Sequence, residues 1–132
     1  MLTNDNTGLI LVDVQGKLAR IVYESEKLVS NLEKLIRGCQ ILSIPIICVE
    51  QNPKGLGPTI PELEKLLSNQ KPIEKYTFNA FENENFKQSI INSNKKQWLI
   101  CGIETHICVY QTVIGLLSND FEIENPTPVA FK

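Results

Sequence analysis

The amino-acid sequence predicts an α/β protein in which helices cover both faces of a mostly parallel β-sheet. Its predicted strands and helices alternate along the chain, and the strands are short, continuous apolar runs, which is typical of strands buried on both faces. Because connections between parallel strands carry helices and cross over in one hand, this alternation favours a three-layer α/β/α arrangement. The 132 residues suit one core, so we expect residues 1–132 to form a single domain.

The first two elements are a buried strand and an amphipathic helix. Residues 8–14 form an apolar run that one acid, Asp13, interrupts near its end, which predicts the first strand. From Glu26 to Leu42, apolar side chains recur at helical spacing, which predicts a helix with one buried face, and Pro45 limits its extension. The residues of that face are Leu28, Val29, Leu32, Leu35, Ile36, Cys39 and Leu42.

A second strand and a turn-rich loop follow this helix. The run from Ile44 to Val49 is rich in β-branched residues, and it precedes residues 52–58, whose prolines and glycines predict a loop. Thr59 and Glu62 then have the spacing of a capping box, in which each side chain satisfies a free amide at a helix start. We therefore predict a short helix with an inner face made of Leu63, Leu66 and Leu67.

The second half of the chain continues the alternation. Residues 72–78 predict a short strand, and the stretch from Phe86 to Asn94 predicts a helix. A further apolar strand is predicted from Gln97 to Gly102, and a helix with Val109, Val113, Leu116 and Leu117 inward is predicted from Cys108 to Ser118. Phe121 to Ile123 completes the pattern as a predicted last strand.

Charge and hydropathy exclude several classes of function. The formal net charge is -2, and the chain has no block of five like charges, so it lacks the basic surface of a nucleic-acid-binding protein. The apolar runs are too short to cross a bilayer, and the first residues lack the basic start of a signal peptide. We therefore expect a cytoplasmic protein that binds neither nucleic acid nor membrane.

The residues that could hold a metal or a cofactor are sparse. The four cysteines form no Cys-x-x-Cys pair and lack the tight spacing of a secreted disulfide framework, so we expect free thiols. His106 is the only histidine, and a four-coordinate zinc site needs several nitrogen or sulfur ligands. Gly55 and Gly57 do not follow the dinucleotide-binding fingerprint. We predict no metal and no cofactor.

Polar residues at the carboxyl ends of the strands are the first candidates for a functional site, because open parallel sheets bind ligands at that edge. A carboxylate, an ammonium group and a thiol are among them. The candidates are Asp13, Gln15, Glu50, Gln51, Lys75 and residues 104–108.

Cys108 is the most informative of these candidates. It follows a tight turn between a predicted strand and a predicted helix, which would leave its thiol at the first turn of the helix. Helix amides and a nearby ammonium favour a thiolate, so we expect the thiol pKa to lie below its ordinary value. The alternative is an inert buried cysteine, and we accept that alternative for Cys39, Cys48 and Cys101, which lie inside predicted strands or helices.

Asp13 and Lys75 gain importance as partners of this thiol. A carboxylate in a buried strand is costly unless it is paired, so Asp13 requires a partner, although it could equally cap a neighbouring loop. Lys75 taken alone resembles an ordinary surface lysine. His106 is two residues from Cys108 on a turn, where neighbouring side chains diverge, so we place it at the rim of a pocket.

Three segments of the chain resemble the isochorismatase-like cysteine hydrolases. They are LILVDVQ at residues 9–15, VEQNPKGLGPTIPEL at residues 49–63 and LICGIETHICV at residues 99–109. The second is similar to the branch of isochorismatase-domain proteins, and the histidine pattern with which nicotinamidases bind a metal is absent. The resemblance covers residues 8 to about 123 and implies a Rossmann-like α/β/α fold.

The resemblance also implies roles for individual residues. Asp13 matches the general base of the family, Lys75 its triad lysine and Cys108 its nucleophile. The bond between Ile103 and Glu104 falls where the family has a cis peptide, and the backbone amides of Glu104 and Cys108 would form an oxyanion hole. We expect the substrate pocket to include Gln15, Phe81 and His106.

At the C-terminus the sequence departs from the family pattern. Family members continue with a further helix and strand, whereas this chain runs through two prolines, Pro126 and Pro128, to Lys132. Two prolines so close block strand pairing, so we expect a domain that is incomplete at the C-terminus and lacks the last strand.

Three functions are compatible with this sequence. The first is a cofactor-free, homo-oligomeric hydrolase of a small-molecule amide, carbamoyl or related C–N or ether substrate, which uses Asp13, Lys75 and Cys108. The second is a catalytically silent, truncated relative that acts as a binding or oligomerisation module. The third is a thiol redox sensor, which requires a resolving thiol near Cys108 such as Cys101.

Overall fold

The computed structural model describes residues 1–126, and it contains a single five-stranded parallel sheet within that range. The strands are β1 (Thr7–Val12), β2 (Ile46–Gln51), β3 (Ile73–Lys75), β4 (Gln97–Gly102) and β5 (Glu122–Glu124). Their order across the sheet is β3-β2-β1-β4-β5, and every neighbouring pair runs parallel. The predicted α/β class with a parallel sheet is therefore confirmed.

Helices connect the strands and cover the sheet. They are α1 (Leu18–Ile21), α2 (Ser25–Ile41), α3 (Pro53–Leu56), α4 (Pro61–Glu64), α5 (Glu84–Asn92) and α6 (Tyr110–Leu117). Three 3-10 turns occur at Asn4–Asn6, Lys65–Leu67 and Ala80–Glu82, and a π-helical turn at Thr105–Val109 precedes α6. Between residues 1 and 126, no helix combines the length and the apolar character that a bilayer crossing requires.

Two apolar layers bury the sheet from both sides. Along β1, side chains alternate between the layers: Leu9 and Leu11 pack with α2 and α4, whereas Ile10 and Val12 pack with α5 and α6. All six residues of β1 are buried. This double burial explains why β1 is a continuous apolar run instead of an alternating pattern.

Some predicted boundaries differ from the structure. The first strand ends at Val12, because Asp13 has a φ of 52° that takes the backbone out of the extended conformation. The second strand continues to Gln51, two residues beyond its predicted end. Two helices of one turn, α1 and α3, were not predicted, and α3 lies within the predicted loop.

The predicted capping box at Thr59 is wrong. The residue that precedes α4 is Ile60, and no side chain caps this helix. Thr59 instead donates its backbone N–H and its hydroxyl to Glu50 Oε2, at 2.6 and 2.7 Å. Glu62 pairs with Arg20, whose Nη2 lies 2.7 Å from its carboxylate. Both side chains therefore hold neighbouring elements together instead of forming the predicted capping box.

Candidate active site

The carboxyl edge of the sheet brings Asp13, Lys75 and Cys108 together. Asp13 directly follows β1, Lys75 ends β3, and Cys108 lies in the π-helical turn that follows β4. All three are buried, with exposed fractions of 2%, 0% and 8%. The sequence-predicted trio therefore forms one cluster, with the carboxylate in electrostatic contact with both the ammonium and the thiol.

Lys75 is fixed by hydrogen bonds from all three protons of its ammonium group. Nζ donates to Asp13 Oδ2 at 2.9 Å, to Gln51 Oε1 at 2.7 Å and to the carbonyl of Thr77 at 3.0 Å. A buried ammonium with three acceptors has no donor left for a further ligand, because it carries only three protons. Lys75 can therefore stabilise negative charge beside it without acting as a proton donor itself.

Asp13 presents one occupied and one free carboxylate oxygen. Its backbone N–H donates to Val49 at 3.2 Å, which ties the residue to β2, and Oδ2 accepts from Lys75. Oδ1 is buried and has no hydrogen-bond partner among residues 1–126. Burial raises the pKa of Asp13 above its ordinary value, and the ammonium of Lys75 and the thiol of Cys108 oppose that rise. The free oxygen is thus a basic acceptor next to the thiol.

The predicted lowering of the Cys108 pKa is wrong, because the structure raises the pKa of this thiol to about 12. Burial is the largest cause, the negative charge of Asp13 adds to it, and Lys75 only partly opposes both. In addition, the regular helix α6 begins at Tyr110, so Cys108 lies in the π-helical turn before it. The resting site therefore holds a thiol, and a thiolate has to be generated by transfer of its proton.

The turn that carries Cys108 starts from a glycine that no other residue can replace without strain. Gly102 has a φ of 127°, and a Cβ atom at this position would lie 2.0 Å from the carbonyl oxygen of Val12. The peptide bond between Ile103 and Glu104 is cis. The carbonyl of Glu104 then accepts from the backbone N–H groups of Ile107 and Val109, at 3.1 and 3.2 Å, which closes the turn.

The three residues expected to line the substrate pocket lie in three different environments. Gln15 is completely buried, and its amide bonds the backbone of Gln51 and Gly57, so it holds a loop and has no group free for a substrate. Phe81 is buried in the layer that contains Cys108. The side chain of His106 is 64% exposed and lies 3.9 Å from the carboxylate of Glu104.

Two further residues support the trio: Gln51 was among the candidates at the strand ends but had no role assigned to it, and Thr112 was not singled out from the sequence. Gln51 holds Lys75 through its side-chain oxygen, and its position at the carboxyl end of β2 was the available signal. Thr112 lies on the buried side of α6, where its hydroxyl accepts from Ala80 N–H at 3.0 Å and donates to the carbonyl of Phe78 at 3.3 Å. It fixes the segment after β3, and a lone threonine in a helix gives no such signal.

The other cysteines lie away from the thiol of Cys108. Cys101 packs in the apolar layer with α2, on the opposite face of the sheet, and its thiol donates to the carbonyl of Ile10. The resolving role considered for Cys101 is therefore ruled out by its position. All four cysteines are free thiols. Across residues 1–126, no group of three or more His, Cys, Asp or Glu side chains is arranged to hold a metal ion.

Comparison with known proteins relates this chain to one family. The isochorismatase domain model matches residues 7–124. Isochorismatase domain-containing protein 2 of Danio rerio is 36% identical over 123 residues, which cover 92% of this chain and 61% of that protein. Isochorismatase family protein 1B of Dictyostelium discoideum is 35% identical over 125 residues, which cover 90% and 60%. This chain thus spans about three-fifths of the length of these relatives.

Solved structures share the fold over nearly the whole chain. The MAR1 ribonuclease of Caenorhabditis elegans has a TM-score of 0.88 and 30% identity, and the match covers 98% of this chain and 66% of that one. The YcaC gene product of Escherichia coli, described as an octameric hydrolase of unknown specificity, has a TM-score of 0.93 and 26% identity, with 99% and 66% covered. Together with the match over residues 7–124, these similarities show that the chain belongs to the isochorismatase family.

Proposed function

We propose that this chain carries the catalytic site of a hydrolase that acts on small-molecule amide or carbamoyl substrates. The observation that carries the proposal is the free oxygen Oδ1 of Asp13, a buried acceptor of raised pKa in electrostatic contact with the thiol of Cys108. A nucleophile, a base that can deprotonate it and a fixed cation are the parts that covalent hydrolysis requires. Membership of the isochorismatase family supports the same chemistry.

In the first half of the proposed reaction, Asp13 Oδ1 takes the proton of the Cys108 thiol as the sulfur attacks the carbonyl carbon of the substrate. The carbonyl oxygen becomes an oxyanion. Asp13 then returns the proton to the leaving nitrogen, the C–N bond breaks, and an amine leaves behind a thioester. Because burial and the negative charge of Asp13 raise the pKa of Cys108 to about 12, the proton rests on sulfur until the substrate arrives.

In the second half, water attacks the thioester while Asp13 accepts one of its protons. Collapse of the second oxyanion breaks the C–S bond, and the proton on Asp13 returns to the thiolate. The acid leaves, and the site regains its starting state. Lys75 keeps its charge throughout, since its three hydrogen bonds hold the ammonium against the carboxylate in both halves.

The turn after β4 supplies the donors for the oxyanion. The backbone N–H groups of Glu104 and Cys108 are the proposed pair, and no hydrogen bond within residues 1–126 engages the N–H of Glu104. In enzymes of this mechanistic type, removal of one such donor costs about 3 kcal/mol of transition-state stabilisation. His106 stays at the exposed rim of the turn in this proposal.

The test is the pH profile of iodoacetamide alkylation at Cys108, measured by peptide mass spectrometry, together with turnover of a panel of small amides and carbamates. In wild type we expect the alkylation midpoint well above the ordinary thiol pKa. In Asp13→Asn the loss of the negative charge should move the midpoint down, while turnover falls at least a hundredfold because the base is gone. The exposed Asp120→Asn is the matched control and should match wild type on both measures.

In Asp13→Asn, a lower alkylation midpoint combined with a loss of turnover would identify Asp13 as the base. A merely structural carboxylate would not produce this combination. An unchanged alkylation profile in Asp13→Asn would disprove the assembly of the trio. A shifted profile with no turnover of any substrate by wild type would favour the silent binding or oligomerisation module.

We further propose that the active form is a homo-oligomer, as the octameric state described for the YcaC gene product suggests. Sedimentation velocity measures the oligomeric state of the protein and tests this proposal.

A further inference from the structure

A cavity of about 630 Å³ lies on the opposite face of β2 from the trio. Cys48 and Glu50 line it from β2. Cys48 packs in the apolar layer with α2, whereas Val49 packs in the layer that contains Cys108. Because side chains alternate along a strand, Glu50 faces the same side as Cys48, and Gln51, which holds Lys75, faces the other. The cavity is therefore separate from the proposed catalytic site.

Glu50 is the buried charged group of this cavity, with an exposed fraction of 7%. Its Oε2 accepts two hydrogen bonds from Thr59, whereas Oε1 accepts none from any described residue. Lys65 and Lys71 also line the cavity, but neither forms an ion pair with Glu50. Oε1 is not fully buried, so it faces the solvent in the cavity. Glu50 thus offers one free acceptor to a ligand in the cavity.

The walls indicate what kind of donor would fit. Pro58, Pro61, Leu67 and Pro72 contribute apolar groups to the lining of the cavity. The described residues contain no cluster of acidic, histidine or cysteine side chains suited to a metal ion, so a multidentate cation has too few ligands here. An organic cation needs only one charged acceptor and gains from apolar walls that cover its carbon chain. This combination favours a monovalent organic cation over a metal.

We propose that the cavity binds a small aliphatic primary amine in its ammonium form. The ammonium group donates to Glu50 Oε1, and the carbon chain lies against the prolines and Leu67. Binding replaces water at Oε1 with a charged donor and removes apolar surface from water at the same time. The hydrogen bonds from Thr59 to Oε2 hold the carboxylate in the orientation that the ligand requires.

The test uses n-butylammonium as the probe and the full chain labelled with ¹⁵N. The backbone amide of Thr59 reports binding, because it donates to the same carboxylate as the ligand. We expect a saturable shift of the Thr59 resonance with n-butylammonium and none with the neutral isostere n-butanol. Glu50→Gln should weaken binding at least tenfold, whereas Glu64→Gln, an exposed carboxylate at the same cavity, should stay within twofold of wild type.

Two results would overturn the proposal: equal shifts with n-butanol, or binding to Glu50→Gln that is as tight as binding to wild type. If Glu50→Gln gives no folded spectrum, Ser68→Trp decides the matter, because Ser68 is an exposed residue of the cavity wall and a large side chain there fills the space. That variant should lose the response of Thr59 to n-butylammonium. A response that persists in it would place the amine elsewhere.

Discussion

At the scale of single residues, burial and the carboxylate of Asp13 raise the pKa of the Cys108 thiol from 9.0 to about 12. A group whose pKa is higher in the folded state stabilises the fold fully below its unfolded pKa and loses that contribution as the pH rises towards the folded pKa. Between pH 9 and about pH 11, we therefore expect wild type to lose about 1.4 kcal/mol of stability per pH unit through Cys108.

Urea unfolding of wild type and Cys108→Ala across this range measures the effect. The free energy of unfolding should fall more steeply with pH in wild type than in the variant, and the difference should vanish below pH 8. Cys48 and Cys101 also have raised pKa values, but both proteins contain them, so their contribution cancels. Parallel pH profiles for the two proteins would show that the thiol has its ordinary pKa in the fold.

The buried pair of Lys75 and Asp13 leads to a second prediction at this scale. Replacing Lys75 by Met leaves the carboxylate of Asp13 buried at 2% exposure without its cation, so we expect a loss of about 3 to 5 kcal/mol of stability. The double variant Asp13→Asn with Lys75→Met removes both charges and should recover most of that loss. Urea unfolding of the four proteins gives the coupling energy. A coupling below about 1 kcal/mol would indicate a solvated pair.

At the scale of elements, two glycines have opposite requirements. A Cβ atom at Gly102 would lie 2.0 Å from the carbonyl oxygen of Val12, and the φ of 127° is strained for any other residue. A Cβ atom at Gly38, inside α2, meets nothing within 4 Å. We expect Gly102→Ala to destabilise the protein by more than about 3 kcal/mol, and Gly38→Ala to stabilise it by about 0.5 to 1 kcal/mol.

Thermal unfolding of both variants tests this contrast, and each serves as the control for the other. Because Gly102 starts the turn that carries Cys108, Gly102→Ala should also change the alkylation rate of the thiol, whereas Gly38→Ala should leave it unchanged. Equal and small effects at the two positions would mean that the junction of β4 and its turn can relax around a methyl group.

The sequence predicts elements that depend on local patterns, but it does not predict contacts between elements that are distant along the chain. The strands and α2 could be predicted, because apolar runs and helical spacing are local signals. The prediction of a capping box was wrong because both of its residues have partners in other elements. Thr59 bonds Glu50, and Glu62 pairs with Arg20, which the local spacing does not reveal. Helix α3 was not predicted, because its four residues lie between two turn residues, Asn52 with a φ of 37° and Gly57. The segment therefore has the composition of a loop.

The same reasoning applies to the candidate site. Its location could be predicted, because polar residues at the carboxyl ends of parallel strands gather at one edge. The direction of the Cys108 pKa shift could not, since it depends on burial and on the distance to Asp13, and both arise only in the folded chain. Gln15 had a suitable sequence position, yet its amide is engaged by the backbone of Gln51 and Gly57.

At the scale of the whole molecule, β1 belongs to both apolar layers, so loss of either layer would expose one face of this strand. Trp98 is completely buried in the layer with α5 and α6, and Cys39 lies in α2 in the opposite layer. We expect the two layers to unfold in one cooperative transition, because removing either exposes half of the apolar surface of β1.

Tryptophan fluorescence reports one layer, and pulsed alkylation of Cys39, quantified by peptide mass spectrometry, reports the other along the same urea series. Both signals should give one midpoint, and Leu32→Ala, which opens a cavity only in the layer with α2, should move both midpoints equally by an amount equivalent to about 2 to 5 kcal/mol. Separate midpoints, or a shift of the Cys39 signal alone, would show that the layers are independent units. A common shift would mean that a loss of packing energy in one layer destabilises both layers equally, because they share β1 and unfold together.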